Sequence, residues 1–380
     1  MGNPCPMTEF SRSLPQEFRN RIENLRKAMV PLDVEACVVV CSEGRNWENV
    51  FYLSGFRGSH SGLLVSQENA VLVTDSRYVL QAKSQTELEV LDQGKDGLVE
   101  SLKRVLCSWG IRKVAFEHAR VSHSLALSLS TGPVLTWVDG SSLVVGLRRV
   151  KSPCETALIR EAARACAAAL EETLLLLRPG VTEREIAARI EFAVRMNGAE
   201  GGWGGHEFVV VSGLRSVLPH GLATGKPIET GEWFTLDFGA RVGGYLSDIT
   251  RNIALGEVPG KAKDLHELLL EAQEAAFSVT RAGVKASEVD DAARKVIEKA
   301  GYGTAFSHGT GHGLGLELHE KPHVSRSSQD VLVAGDVVTI EPGIYLDGFG
   351  GLRVEDDCAV TQNGAEWLTR DVRPGFLRVL

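Results

Sequence analysis

Acidic residues stand inside two segments whose patterns otherwise predict β-hairpins. In the first segment, Asp237 alternates with apolar neighbours, so one strand face is apolar and the other carries an acid. Asp248 follows, and the pair is centred between Val242 and Gly243. A two-residue turn at this centre would place the two acids directly opposite each other, whereas a turn on Gly243 and Gly244 would make them diagonal neighbours on one face. Either register brings two carboxylates within ~4.5–8 Å.

The second segment repeats this arrangement with glutamates. Glu341 and Glu355 are centred on Gly348 within the glycine-rich stretch 347–351, and a loop of odd length there would oppose them directly. Like charges that face each other across a hairpin are destabilising unless a cation lies between them. One acid pair alone would be read as a solvated strand face, but two hairpins with a pair each predict a cation site.

A histidine-rich stretch, residues 307–323, adds a different kind of ligand. Glycines at alternate positions from 309 to 315 disfavour an ordinary helix and favour a strand that a ligand can approach closely. The stretch carries His308, His312 and His319. A lone histidine is usually structural, but three in such a setting indicate a site.

Two sequence patterns in this stretch imitate other sites. Residues 319–323 spell H-E-x-x-H, a zinc motif that works only on a helix, and Pro322 with its extended context argues against a helix. The alternating glycines are not a dinucleotide fingerprint either, because no strand–turn–helix unit surrounds them. We therefore reject both interpretations.

The charges of the two acid pairs match a dinuclear metal site. Four carboxylates offset two divalent cations, and oxygen-rich ligation with one imidazole suits manganese, cobalt or iron(II), or catalytic zinc, better than structural zinc. Such a pair can activate water for hydrolysis. No cysteine is expected to be a ligand.

The elements that must position these residues fall into two predicted domains, 1–148 and 149–380. In the first, short apolar strands alternate with helices, which predicts a small mixed α/β domain. In the second, helices and glycine-rich strands predict an α+β arrangement; Thr182 and Glu185 form a capping box at the start of one helix, and Ser287 is a plausible N-cap of another. The predicted elements are helices at 15–29, 77–83, 155–177, 182–197, 262–281 and 287–300, and strands at 36–40, 62–65, 70–74 and 113–116.

Composition limits the classes of function. The chain has 380 residues, a net charge of −8 and no block of basic residues, which argues against a nucleic-acid or anionic-membrane partner. Its 7 cysteines are odd in number and form no C-x-x-C pair, as expected for reduced thiols. The first fifteen residues lack the apolar core of a signal peptide, and no run of about 18 apolar residues occurs. A cytoplasmic protein is expected.

Together these motifs closely resemble the pita-bread metallopeptidases, a superfamily that includes methionine aminopeptidase, aminopeptidase P, prolidase and the metal-free creatinase. The resemblance covers nearly the whole chain. It implies a pita-bread catalytic domain, a curved antiparallel sheet flanked by helices, after a creatinase-type N-terminal domain. That domain and His308 are similar to the aminopeptidase P and prolidase branch. The segments that carry the resemblance are LDFG (236–239), YLSDITRN (245–252), HGTGHGLGLELHE (308–320), IEPGIY (340–345), GLRVEDD (351–357), FYLSGFRGSHSGLLV (51–65), TDSRYVLQA (74–82) and LRRVKSPCETALIREA (147–162).

The resemblance also implies roles for individual residues. All metal positions of the family are occupied, which argues against a creatinase-like member: Asp237 would bind one ion, Asp248 and Glu355 would bridge, and His312 and Glu341 would complete the second. Glu341 would also shuttle protons. The residues expected near the substrate are His220 and His319 as hydrogen-bond donors, His308 on the prime side, Tyr345 in the pocket, and Arg353, which would orient Glu355 or bind a substrate carboxylate.

One loop departs from the family pattern. Residues 200–207 are unusually rich in glycine and carry Trp203 and His206, which either line the substrate pocket or belong to a surface loop. If they line the pocket, a strict preference for proline is in doubt.

The resemblance implies a homodimeric aminopeptidase that acts on peptides, with Xaa-Pro bonds as the expected substrate. An Xaa-Pro dipeptidase and an aminopeptidase without a proline requirement are the alternatives. A peptide-binding module that lost catalysis is the alternative from another class, and the complete ligand set argues against it.

Overall fold

A computed structural model describes residues 6–131, 135–370, 372 and 375–379 of the chain. The chain divides into two compact units, Met1–Arg148 and Arg149–Leu380. Among the described residues, no helix combines the length and apolar composition that a bilayer crossing requires. The cysteines from Cys37 onward are free thiols, and Cys5 lies outside the described residues.

The first unit is built on a six-stranded mixed sheet. Its strands and helices, in chain order, are α1 (Pro6–Met29), β1 (Ala36–Ser42), α2 (Trp47–Ser54), β2 (His60–Ser66), β3 (Ala70–Thr74), α3 (Val79–Gln85), β4 (Glu89–Asp92), α4 (Gly97–Ser108), β5 (Lys113–Phe116), α5 (His123–Ser130), β6 (Thr136–Asp139) and α6 (Ser141–Arg149). The strand order is β4-β3-β2-β1-β5-β6, with β1, β2 and β3 antiparallel and the outer pairs parallel. The predicted mixed α/β class of this region is confirmed. Helix α1 begins before the predicted start at Pro15, because a proline permits a helix start without requiring one.

The second unit joins helices to antiparallel sheets. Its elements are α7 (Pro153–Leu174), α8 (Glu183–Met196), β7 (Val209–Ser212), β8 (Trp233–Phe238), β9 (Arg241–Val242), β10 (Tyr245–Leu246), β11 (Ile249–Leu255), α9 (Gly260–Val279), α10 (Ala286–Lys299), β12 (Gly311–Gly313), β13 (Glu320–Val324), β14 (Val337–Ile340), β15 (Gly343–Leu346), β16 (Gly350–Arg353), β17 (Asp356–Val360), β18 (Ala365–Trp367) and β19 (Leu377–Val379). One sheet has the order β19-β11-β8-β7 and another β13-β12-β14-β17-β18. Apolar residues of α9 and α10 pack with those of β14, β16 and β17 in one buried core.

The registers of the two hairpins follow from their turns. In the first, Val242 pairs with Tyr245 and Asp237 with Thr250. Gly243 and Gly244 form the two-residue turn with φ of 57° and 87°, a left-handed conformation that glycine adopts without strain. Of the two registers left open by the sequence, the diagonal one is therefore correct.

The second hairpin has the predicted opposed register. Ile340 pairs with Asp356 and Gly343 with Arg353, so Glu341 and Glu355 lie opposite each other between these pairs. Gly348, at φ 72°, lies in the loop that sets this register.

The helix starts are decided by different kinds of contact. Thr182 and Glu185 form the predicted capping box of α8. The prediction for Ser287 is wrong: the N-cap of α10 is Lys285, and its first residue, Ala286, donates its backbone N–H to the Asp330 carbonyl at 2.9 Å. A carbonyl from a distant loop thus takes the role that the local sequence assigned to a side-chain cap.

Candidate metal centre

Three of the proposed ligands form a tight buried group. The ligand atoms of Asp248, His312 and Glu355 all lie within 4.8 Å of one another. Strand β12 carries His312. Asp248 lies just before β11 in the first acidic hairpin, and Glu355 lies just before β17 in the second. An isolated backbone bridge between Thr250 and Glu355 joins these hairpins. The fold therefore brings together residues that are far apart in sequence.

His312 presents one ring nitrogen to the acids. Its Nδ1 lies 3.1 Å from the Gly313 carbonyl oxygen, which can only accept a hydrogen bond, so Nδ1 carries the proton in this pairing. Its Nε2 lies 3.7 Å from Asp248 Oδ2 and 3.5 Å from Glu341 Oε1. The Nε2 lone pair is thus available to a cation that the carboxylates also surround.

Burial sets the electrostatics of this centre. It raises the pKa of Asp248 and of Glu355 well above the ordinary values, and neighbouring carboxylates raise both further. Burial also raises the pKa of Glu341 to about 8, against the lowering effect of Arg353. It lowers the pKa of His312 to about 3. Removing charged acids from water without a counter-ion is unfavourable, and a divalent cation would lower the pKa of these carboxyl groups again while keeping His312 neutral.

Unpaired oxygens show that the residues present fit a metal ion. Asp237 Oδ1 and Asp248 Oδ1 are buried and have no hydrogen-bond partner among the described residues. Buried polar atoms in folded proteins are nearly always paired, so an orphaned carboxylate oxygen calls for a ligand or ion. Carboxylate oxygens with one imidazole nitrogen are a donor set that divalent transition metals accept.

Arg353 is a structural partner of the acids. Its side chain is 3% exposed, and its Nη2 donates to Asp237 Oδ2 at 2.5 Å. Its Nε donates to Thr250 Oγ1 at 3.2 Å, and Thr250 Oγ1 donates to Glu355 Oε2 at 2.6 Å. Its Nη1 donates to Tyr345 Oη at 2.8 Å. Arg353 thus orients Asp237 directly and Glu355 through Thr250, which leaves the alternative role of capturing a substrate carboxylate without support.

The remaining histidines lie around the centre. The His319 ring lies 4.2 Å from the His312 ring, and the His206 ring lies 6.3 Å from that of His319. His206, His220 and His319 are all exposed. His308 Nε2 lies 3.1 Å from Tyr345 Oη, and burial lowers the pKa of His308 to about 4, so this imidazole is neutral. The exposed histidines and the half-buried, neutral His308 are therefore available for different tasks.

Trp203 is buried within the loop 200–207, the segment that departs from the family pattern. It is 7% exposed, and its indole N–H donates to the Ser247 carbonyl at 3.2 Å. Its ring packs edge-on against Phe208 at 5.2 Å. A buried side chain with its donor satisfied offers little surface to a peptide, so the geometry does not support the expected substrate-binding role of Trp203.

Sequence reasoning missed two residues of this centre, Thr250 and Asp357. Thr250 contacts Glu355, and Asp357 accepts the backbone N–H of Asp248 at 3.0 Å. Each stands two residues after a proposed ligand, which is the spacing that returns to the same strand face. That periodicity is the signal that could have found them.

Comparison with known proteins places the chain among metallopeptidases. Residues 157–362 match metallopeptidase family M24, and residues 21–150 match the creatinase/prolidase N-terminal domain. The Xaa-Pro dipeptidase of Pyrococcus furiosus is 37% identical over 332 residues, covering 86% of this chain and 92% of the relative.

Solved structures agree with this placement. The Xaa-Pro dipeptidase of Bacillus anthracis superposes with a TM-score of 0.89 at 38% identity, covering 96% of this chain and 100% of the other. The X-Pro aminopeptidase of Thermotoga maritima gives 0.87 at 37% identity, covering 93% and 100%. The chain therefore belongs to metallopeptidase family M24 and is a metallo-exopeptidase of its pita-bread prolidase and aminopeptidase P branch.

Proposed function

We propose that this chain is an aminopeptidase that binds two divalent metal ions and hydrolyses the N-terminal bond of peptides with proline in second position. The observation that carries the proposal is the buried cluster of acids around His312 with two orphaned carboxylate oxygens. The relatives whose names specify Xaa-Pro cleavage support the choice of bond. Manganese or cobalt is the proposed metal, with zinc and iron as alternatives.

Five side chains would hold the two ions: Asp237, Asp248, His312, Glu341 and Glu355. When bound, the ions would supply Lewis acidity and a nucleophilic water at neutral pH.

Glu341 is the proposed proton carrier. It is held between His312, whose Nε2 lies 3.5 Å from Glu341 Oε1, and the opposed Glu355. A carboxyl group that touches the centre can accept a proton from the attacking water and deliver it to the departing amine.

Exposed histidines complete the site. We assign His319 and His220 to donate hydrogen bonds to the carbonyl oxygen on which negative charge develops during hydrolysis. His308 and Tyr345 form a hydrogen-bonded pair beside Arg353, and we place this pair on the leaving-group side. His206 is exposed, and its ring lies next to that of His319.

An Xaa-Pro dipeptidase is the second candidate, because relatives of that name cover most of the chain. A free dipeptide presents a terminal carboxylate, which a dipeptidase captures with a cation. Arg353 is buried and engaged with Asp237, so it does not supply that cation. The dipeptidase thus lacks the carboxylate-binding cation that the sequence suggested for it.

The remaining assignments follow the family resemblance. We propose a cytoplasmic homodimer in which residues 1–148 influence substrate length and assembly, while the chemistry belongs to residues 149–380. The chemical groups proposed for catalysis all come from the second part.

A peptide panel tests the proposal. Xaa-Pro dipeptides, Xaa-Pro-Yaa tripeptides and matched Xaa-Ala peptides are assayed with manganese, cobalt and zinc. We expect tripeptides to be cleaved with a higher kcat/KM than dipeptides, and proline to be preferred over alanine by about a hundredfold, near 2.7 kcal/mol. A proline-to-alanine ratio at or below one would refute the Xaa-Pro assignment, and cleavage of dipeptides alone would establish the dipeptidase.

A further inference from the structure

The hairpin ladder is interrupted next to Asp248. Pairing along β8 and β11 stops at Phe238 and Ile249, and it resumes on β9 and β10. The peptide group that joins Ser247 to Asp248 lies in this gap. Its carbonyl oxygen and its N–H therefore need partners outside the hairpin, because buried backbone groups are rarely left unpaired.

Two side chains from distant segments supply those partners. The indole N–H of Trp203 donates to the Ser247 carbonyl at 3.2 Å, and Asp357 Oδ2 accepts the Asp248 N–H at 3.0 Å. Trp203 is 7% exposed and Asp357 0%. One peptide plane is thus held at both ends by residues 44 and 109 positions away in sequence.

Neighbouring residues closely constrain the position of the Trp203 indole. A Cβ added at Gly239 would lie 2.0 Å from the Ser247 carbonyl oxygen and 2.1 Å from Trp203 Nε1. The indole therefore packs against the backbone of residue 239, where a side chain would clash with it. Phe208 packs edge-on against Trp203 at 5.2 Å and against Phe238 at 6.0 Å. The ring stack therefore connects the loop 200–207 to the end of the strand that carries Asp237.

We propose that Trp203 and Asp357 form a clamp on the Ser247–Asp248 peptide, which fixes the direction of the Asp248 carboxylate and so sets the affinity of the metal centre. Trp203 is a positioning residue in this scheme, and it ties the loop that carries His206 to the metal ligands. The inference rests on the proposed function, since it requires Asp248 to bind metal. Partners that orient a ligand from outside the coordination sphere typically change metal affinity by about 10–100-fold.

Trp203→Phe removes the indole donor and keeps an aromatic ring. Trp233→Phe is the matched control, because Trp233 is 4% exposed and its indole N–H donates to the Gly351 carbonyl at 2.9 Å in the same unit. Binding of Mn²⁺ to chelator-stripped full-length protein is measured by calorimetry. We expect about tenfold weaker binding for Trp203→Phe and less than a twofold change for the control, with comparable losses of thermal stability.

A second variant guards against a folding defect. Benzothienylalanine at position 203 keeps the shape of tryptophan and lacks the N–H, so it should reproduce the weaker Mn²⁺ binding without loss of packing. Saturating Mn²⁺ should restore kcat in both position-203 variants, which a merely structural defect would not allow.

The outcomes separate the two proposals. Equal Mn²⁺ affinities in the Trp203 and Trp233 variants would refute the clamp, as would wild-type affinity in the benzothienylalanine protein. A wild-type protein that binds Mn²⁺ but cleaves no peptide would refute the proposed function, while the comparison of variants would still decide the clamp. A wild-type protein that binds no divalent metal would overturn both.

Discussion

Buried acids occur in both units of this chain, and their surroundings differ. In the first unit, Glu117 is 1% exposed and accepts hydrogen bonds from Asn46 Nδ2 at 2.7 Å and Asn49 Nδ2 at 2.5 Å. Arg148 in turn donates to Asn49 Oδ1 at 2.6 Å. Burial nevertheless raises the pKa of Glu117 to about 7. The carboxylate of Glu117 is therefore stabilised by hydrogen-bond donors of the protein in place of water.

The proposed metal ligands of the second unit have fewer donors and more like charges than Glu117. Asp237 Oδ1 and Asp248 Oδ1 have no hydrogen-bond partner among the described residues, and neighbouring carboxylates raise the pKa of Asp248 and of Glu355. The difference separates these particular acids: Glu117 has its oxygens paired by amides, whereas Asp237 and Asp248 each keep one oxygen unpaired and face other acids.

Metal removal should give the largest contrast between the two units. Chelation should abolish peptidase activity, and Mn²⁺ or Co²⁺ should restore it, because the four carboxylates of the second unit repel one another without cations. Hydrogen exchange around Glu117 should not change, since its partners are amides. Full activity in protein shown to be metal-free would contradict this distinction.

Substitution of a proposed ligand should have the next largest effect. Glu341→Gln removes the proton carrier and one anionic ligand, so kcat should fall by at least ~10²-fold while the protein stays folded. Asp237→Asn should also reduce the metal content per chain, as measured by elemental analysis. As the matched control, Glu117→Gln neutralises a buried acid of the first unit and should leave kcat and metal content unchanged. Wild-type rates in Glu341→Gln or Asp237→Asn would show that the ligand assignment is wrong.

The stability of the first unit should depend on the charge of Glu117. Its folded pKa, about 7, lies above the ordinary value of 4.5, so between these values the native state binds a proton that the unfolded state does not. Stability should therefore fall as pH rises from about 4.5 to about 7, by about 3 kcal/mol for a shift of this size.

Metal-loaded protein provides the test of this pH dependence. Hydrogen-exchange protection of the first unit is measured between pH 5 and pH 8, with Glu117→Gln as the comparison. The glutamine variant should be flat across the range, and a wild-type profile that is equally flat would show that Glu117 keeps an ordinary pKa.

The smallest effect should come from Thr250. Thr250→Val keeps the shape of the side chain but removes its hydrogen bonds with Glu355 and Arg353. We expect about tenfold weaker metal binding, because the Glu355 carboxylate loses an orienting donor. Thr235→Val is the matched control, since Thr235 Oγ1 donates at 3.0 Å to Asn252 Oδ1, which is not a proposed ligand. Equal metal affinities in the two variants would remove Thr250 from the centre.

Local patterns in the sequence predict the strands and turns that carry the proposed acidic ligands. The alternation around Asp237 predicts which strand face carries the acid, and the symmetry of Glu341 and Glu355 about Gly348 predicts their opposed register. These features follow from strand periodicity and turn chemistry, which act over a few residues. The rejection of the H-E-x-x-H pattern is confirmed for the same reason, because Glu320–Val324 is a strand.

The sequence by itself determined the acid pairs, their spacing and the family that they indicate, while the tertiary structure alone decided how their neighbours are used. Nothing near Arg353 in sequence indicates that its guanidinium is engaged with Asp237, 116 positions away. Likewise, the sequence left Trp203 between a pocket-lining position and a surface loop, and only packing decided its buried contact with Ser247. The physical reason is that a hydrogen-bond donor pairs with the acceptor that tertiary packing brings within reach. That packing joins segments that are distant in sequence, whose local patterns carry no information about each other.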